Sequence, residues 1–544
     1  MNNHEPLLQQ LFALRRKFRK VETAEKIKLL NSIHLASLKS KKAFQLYADI
    51  LLFLIAYPDN KAVYTKANQL LQQLHAYLQT NEKRQYSLYN TGITGTAVCA
   101  AFGFEMVKWL RQQYPDNIRI VSFEADDAQL QSIICSLMSK LESEILQDSY
   151  FTWKEWIEQT LHPGETLLDG LIAIFDNNST RPEVKDELWS AMGVNVEIIF
   201  TEHSVLSKSL TVPYYHRNLI RTQEETSIGV KSVKQKLTST EAQQIVDCSR
   251  MILVRHLREI DPISFADIKL VSYYQLPRGF SIALLEMTAE RRHPIDSYIG
   301  YTVFKNGLPV AYAGSWLLFD SARIGLNVFP SYRGGESQYI FQQVLDVHAQ
   351  VYRLKRFTVD PYQIGNKNSD GIQSGAFWIY YRAGFRPVLP ALAALANAEA
   401  EKIKTIPGYR SPAGILKKLA ANKLELVLQK KAVCFDANDL SLAYASLLKN
   451  NYHSNRKKFE QNKAKQLAAL LNIKNSEEST MNFMLQNWAL LLMPHATALI
   501  NNRALQQQLK QLLTLKATGS EAAYHQLLQK ANELRDIMEK IVIN

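Results

Sequence analysis

Cysteine is scarce in this chain: four residues in 544, at Cys99, Cys135, Cys248 and Cys434, none placed to form a Cys-x-x-Cys pair. Such scatter argues against the disulfide framework of small secreted domains and for a reducing compartment, the cytoplasm. Histidine is sparse too, and without a His-Glu-x-x-His or paired-cysteine spacing no metal site is expected. Long apolar runs are also missing. Ala43 to Tyr57 is short and carries Asp49, and Phe483 to Ile500 contains Gln486, Asn487, Pro494 and His495; both read as buried helices, so no membrane partner is expected. Met1 to Gln10 is polar and the basic run Arg15-Arg16-Lys17 follows it, which is not the order of a secretion signal. No internal repeat or low-complexity stretch is visible.

What the chain does have is length, apolar content and positive charge. With 544 residues and 47% hydrophobic content it can bury several cores, so two to four domains are expected. The formal net charge of +13 suits acidic partners, CoA or nucleic acid among them. Lysine and arginine are nevertheless dispersed along solvated helix faces. The densest carboxy-terminal run, Arg456-Lys457-Lys458 with Lys463 and Lys465, lacks interleaved aromatics, so charge alone neither establishes nor excludes a nucleic-acid partner.

Periodicity divides the chain into a helical N-terminal region (1–85), a small α/β domain (86–216), a central mixed-sheet domain (237–390) and a helical C-terminal region (391–544), an α/β (α+β) architecture overall. In the second unit, Asn117 to Phe123 and Val194 to Phe200 read as strands, and Ala128 to Leu146 and Pro182 to Met192 as helical. Tyr89 to Thr96 contains Gly92, Thr94 and Gly95, which could cradle an anion before a helix through Trp109. Without a preceding strand, a plain turn is the simpler reading. Arg217 to Lys236 is a polar connection, and Thr240-Glu241 marks the start of a helix over Ser239 to Leu257. After 390 the pattern is helical, entered through Pro407, Gly408, Pro412 and Gly414.

The central unit is the informative one. Tyr298 to Phe304 is β-branched and aromatic, Asn306-Gly307 favours a tight hairpin, Pro309 to Phe319 is the return strand, and Arg323 to Phe329 makes a third strand. The period then changes: Ile340, Phe341, Val344, Leu345, His348, Val351 and Tyr352 share one helix face, starting just after Gly334-Gly335. Arg356 to Val359 reads as a strand, Ser374 to Ala383 as a helix stopped by Gly384, and Arg386 begins a last strand. Composition alone would place Tyr380, among Phe377, Trp378 and Tyr381, in a core. His348 reads as a packed histidine.

Two stretches of this unit, Val328-Phe329-Pro330-Ser331-Tyr332-Arg333-Gly334 and Tyr380-x-Arg382-x-Gly384-Phe385, resemble the GNAT superfamily of N-acetyltransferases. The resemblance implies an acyl-CoA-dependent N-acyltransferase using acetyl-CoA or another acyl-CoA and acting on an unidentified small-molecule or protein amine. It implies that the Val328 N–H holds the thioester carbonyl and that amides from Arg333, Gly334, Gly335, Glu336 and Ser337 hold the diphosphate at a helix N-terminus. Tyr380 would protonate the departing thiolate, and Asn366 or Asn368 would stand for the asparagine that often follows the fifth strand. The chain departs from the family at Glu336 and Gln338, where small residues are usual. A carboxylate about 6 Å from a phosphate would repel it by roughly 3 kcal/mol at an effective dielectric of 20. The acceptor's base is unassigned; Glu286, Asp320 and Asp360 flank predicted strands. The alternative is a GNAT-like domain that has lost its cofactor and serves as a binding or scaffold module.

Overall fold

The computed structural model describes residues 4–148, 150–220, 232–429, 435–451, 456–474 and 479–543. Part of the expected connection between 217 and 236, and Cys434, lie outside them. The chain opens with helices, of which Lys41–Ala56 is buried along most of its length behind a Ser40 N-cap. A small antiparallel sheet follows, of β1 (Ala97–Ala101), β2 (Ile118–Ser122) and β3 (Asn195–Ile199) in the order β1-β3-β2, surrounded by helices. Here one expectation fails: the Gly92–Gly95 loop leads into β1, and the helix, Phe104–Gln113, comes after it. Ala97 to Ala101 lacks the alternation that marks a strand. Pairing with the strongly patterned β3 supplies what local propensity does not.

The large sheet begins with β4 (Val233–Gln235), β5 (Ser272–Gln275) and β6 (Phe280–Leu285). It continues through the hairpin of β7 (Ser297–Lys305) and β8 (Leu308–Leu318), then β9 (Ser321–Ile324), β10 (Asn327–Val328), β11 (Arg356–Val359), β12 (Arg386–Pro387) and β13 (Leu424–Val427). Its order is β12-β13-β11-β9-β8-β7-β6-β5-β4, with β10 also on β8. Asn306 (φ 47°) and Gly307 (φ 83°) both take the left-handed conformation that a two-residue hairpin of the right twist requires. Two strands correct the expected boundaries. β4 shows that the end of the 217–236 connection is a sheet edge, and β13 inserts between β11 and β12 from within the region expected to be mainly helical. The helix before β5 spans Ser239–Arg255, and its cap is Thr238, which forms a reciprocal box with Glu241.

Among the described residues three apolar cores result. The N-terminal helices, the large sheet and the segment through Leu424 share one. The small sheet and its helices make the second. Helices from Leu440 to Ile541 make the third, closing over Leu318 and Phe319 at the end of β8. Thr480–Ile500 is apolar and long enough to cross a membrane by composition. It is, however, broken at Met493–His495 around Pro494, and Met484 and Trp488 are buried in the third core. Cys99, Cys135 and Cys248 are free thiols.

Candidate functional site

The expected third strand is interrupted. β9 pairs with β8 on one side and, from Ser321 to Arg323, with parallel β11 on the other. At Gly325 and Leu326 the ladder stops, and β10 resumes pairing with β8 alone, Asn327 opposite Tyr312 and Val328 opposite Ala311. Beyond Arg323 the pairing of β11 with β9 ends, and the wedge between them is occupied beside Gly325 by the Gln363 side chain. Two tyrosine hydroxyls plug the break: Tyr301 donates to the Gly325 carbonyl, and the Leu326 N–H donates to the Tyr380 oxygen at 3.1 Å. Tyr380 comes from the helix Ala376–Arg382, which Gly384 (φ 95°) ends. Its ring is held by Phe341 and Phe385. Burial pushes its pKa well above the ordinary tyrosine value, so the phenol keeps its proton.

The Phe329 N–H donates to Val310 on β8, so by the alternation of a strand the Val328 N–H faces the other way, toward the wedge. After Val328, a turn of 3-10 helix, Pro330–Tyr332, is pinned to the N-terminal helices, Ser331 Oγ donating to Asp49 Oδ1 at 2.6 Å. Arg333 is exposed and its Nε donates to the Val328 carbonyl at 3.3 Å. Gly334 (φ 79°) and Gly335 lie under residues of the N-terminal helical region. A Cβ would stand 2.8 Å from Arg16 Nη1 at the first and 2.8 Å from the Tyr57 ring at the second. The helix Ser337–Tyr352 then starts without a side-chain cap.

Glu336 does not lie where the sequence suggested. Its side chain has no exposed surface and turns inward, accepting from Arg278 at 2.5 Å and from the Ile220 N–H at 2.9 Å, with Lys305 Nζ 3.9 Å away. Burial lowers the Lys305 pKa to about 7, with Glu336 acting against it. Two cations thus neutralise the carboxylate expected to oppose a phosphate. This pairing was invisible in sequence because Arg278 and Glu336 are 58 residues apart. Asn368 also departs from its expected role. Its Oδ1 caps a short helix at the Gly371 N–H and its Nδ2 donates to the Tyr362 carbonyl, so both ends are committed locally. Asn366 is exposed, its N–H bonded to the Pro361 carbonyl.

Arg16 is the neighbour that sequence reasoning missed, although the basic run containing it was plain. Its Nη1 lies 3.5 Å from the Gly334 carbonyl. With Lys17, Arg19 and Arg217 it lines an open hollow of about 340 Å³ beside the loop; Glu22, the acid there, is paired with Arg19. Across the sheet, a cavity of about 280 Å³ is lined by Trp316, Arg323, Arg356, Lys423, Asp296 and Asp436.

Of the three candidate bases, Glu286 accepts from the Glu521 and Ala522 N–H groups, and Asp320 is paired with Lys355 and Arg535. Asp360 bridges to Arg323 at 3.5 Å where β11 leaves β9, and burial raises its pKa. His348 is packed, between Ser315 and the Val344 carbonyl. Among the described residues no cluster could hold a metal ion. Comparisons with family models, curated proteins and solved structures found no match, so the reading of this site rests on its own geometry.

Proposed function

We propose that the chain is an acyl-CoA-dependent N-acyltransferase of GNAT type. The observation that carries this reading is the convergence at the strand break. The Tyr380 hydroxyl accepts from the Leu326 N–H at the break, the Val328 N–H two residues on faces away from β8, and the helix Ser337–Tyr352 starts uncapped nine residues after Val328. An amide aimed at a developing oxyanion and a protonated phenol beside it are what acyl transfer from a thioester requires. The uncapped helix start and Arg16, Arg333 and Arg217 are suited to phosphate groups. The acceptor would enter from the opposite face, through the cavity lined by Trp316, Arg323, Arg356, Lys423, Asp296 and Asp436. Asp360 is the base this arrangement favours.

A second reading has its own observation. The Gln363 carboxamide fills the wedge beside Gly325, 2.9 Å from where a Cβ would stand, and Tyr57 covers Gly335. A domain closed in this way would be a scaffold without cofactor. Ligand-dependent stability separates the two. At about 100 times its dissociation constant, acetyl-CoA should stabilise the chain by roughly 2.7 kcal/mol. Arg16→Gln should weaken that binding, and Tyr380→Phe should slow thiol release while sparing it. No stabilisation by acetyl-CoA or by longer acyl-CoAs would favour the scaffold.

A further inference from the structure

A second polar cluster lies away from the wedge, where the N-terminal helices, the loop before β1 and the helix Ser239–Arg255 meet. Arg255 is 6% exposed, and its Nε and Nη2 donate to the Gly92 carbonyl at 2.9 and 2.6 Å. Nη2 also donates to Thr94 Oγ1 at 2.8 Å. These partners are neutral, and among the described residues Arg255 forms no ion pair with a carboxylate, so a buried cation is left uncompensated. Gly92 (φ 71°) is required here, since a Cβ would stand 2.5 Å from the Arg255 carbonyl oxygen.

The hydrogen-bond directions extend the argument. Thr94 Oγ1 lies 2.7 Å from His203 Nδ1. Arginine can only donate, so Thr94 accepts from Arg255 and keeps its own proton available to His203 Nδ1. In the tautomer where Thr94 donates, the neutral imidazole carries its proton on Nε2. Burial, then the Arg255 charge, lowers the His203 pKa to about 3, in keeping with a neutral ring. Nε2 is buried without a partner, and so is the hydroxyl of Ser204, which is 2% exposed. Arg255, Thr94, His203 and Ser204 all line one cavity of about 70 Å³, a little over two water molecules' share of liquid volume. His256 and Asp49 also face it. His256 is stacked on Phe329 and kept neutral by burial, and Asp49, whose pKa burial raises, is engaged by Ser331.

We propose that this cavity binds a small oxyanion, a free phosphate, sulfate or simple carboxylate, held by the Arg255 guanidinium, His203 Nε2–H and the Ser204 hydroxyl. A buried positive charge beside two unpartnered polar side chains suits an anion, and the volume limits it to a few heavy atoms. The site is independent of the acyl-CoA reading. Its occupant would tie the loop before β1 to the Pro330–Tyr332 turn, which lines the same cavity.

The test is calorimetric titration of the full chain with phosphate, sulfate and acetate at constant ionic strength in chloride. One of them should saturate, and a preference for tetrahedral or planar anions identifies the source. Ser204→Ala removes a donor without altering packing and should raise the Kd roughly tenfold. Absence of saturation up to about 10 mM, where even a millimolar site fills, would overturn the proposal. So would unchanged binding in Ser204→Ala, which would assign the anion to the Arg16 hollow. A crystal structure grown in phosphate with only water in the cavity would overturn it as well.

Discussion

Glu336 and Tyr380 illustrate at the residue scale how burial assigns roles that composition leaves open. Glu336 is enclosed by Arg278, Lys305 and the Ile220 N–H, so removing its charge takes the anionic partner from Arg278 and Lys305 and an acceptor from Ile220. Glu336→Gly should therefore cost about 3–5 kcal/mol in urea denaturation, the range for breaking a buried ion pair, and should not tighten acyl-CoA binding. A gain in affinity without loss of stability would restore the repulsive role suggested by the sequence. Tyr380→Phe leaves the Leu326 N–H buried without its acceptor. A loss of about 1–3 kcal/mol is expected from that alone, so its kinetics must be measured well below the melting temperature. Tyr380 could be picked out from its place before Gly384-Phe385, but its hydrogen-bond partner could not, because that depends on where β9 stops.

Among the elements, the long hydrophobic strands and the helix after Gly334-Gly335 were legible because each carries its own period and its own punctuation. β1, β4 and β13 were not: each is five residues or fewer, and each is a strand only because a neighbour pairs with it. β13 is the consequential case. Leu424 is fully buried in the first core, opposite Val359 on β11 and Pro387 on β12. Leu424→Ala should destabilise the central domain by about 2–5 kcal/mol, read as a lowered urea midpoint. Were 391–544 an independent helical region, the central transition would not move.

The whole molecule is held together by buried polar groups between its cores as well as by apolar packing. At the base of the third core, Lys516 pairs with Glu521 and donates to the Asp296 carbonyl. Glu286 of the sheet region accepts from the helix start at Glu521 and Ala522. Burial, then the Glu521 charge, raises the Glu286 pKa to about 7. Five buried histidines have the opposite linkage. Burial lowers His203, His216, His256 and His525 to about 3 and His348 to about 4. Between these values and the unfolded value near 6.5 the unfolded chain binds more protons, so stability falls as pH drops. Each histidine contributes up to about 1.4 kcal/mol per pH unit in that window. Glu286 acts the other way between about 7 and its unfolded 4.5, as do Asp49, Asp186, Glu259 and Asp360, whose pKa burial also raises, but of these acids Glu286 alone is shifted strongly. Melting temperature should therefore fall steeply below about pH 6.5. A flat profile from pH 7 to 5 would mean that these rings are solvated or already protonated in the native state.

By itself the sequence determined the strands, turns and caps whose signals are local: the Asn306-Gly307 hairpin, the helix ending at Tyr352 and the stop at Gly384. Only the tertiary structure decided which groups share a site. The pairing of Glu336 with Arg278, the cover of Arg16 and Tyr57 over the loop, and the meeting of Arg255 with Thr94 all join residues from 58 to more than 300 positions apart. No periodic pattern extends over such separations, because period reports which face a residue takes and not what that face meets.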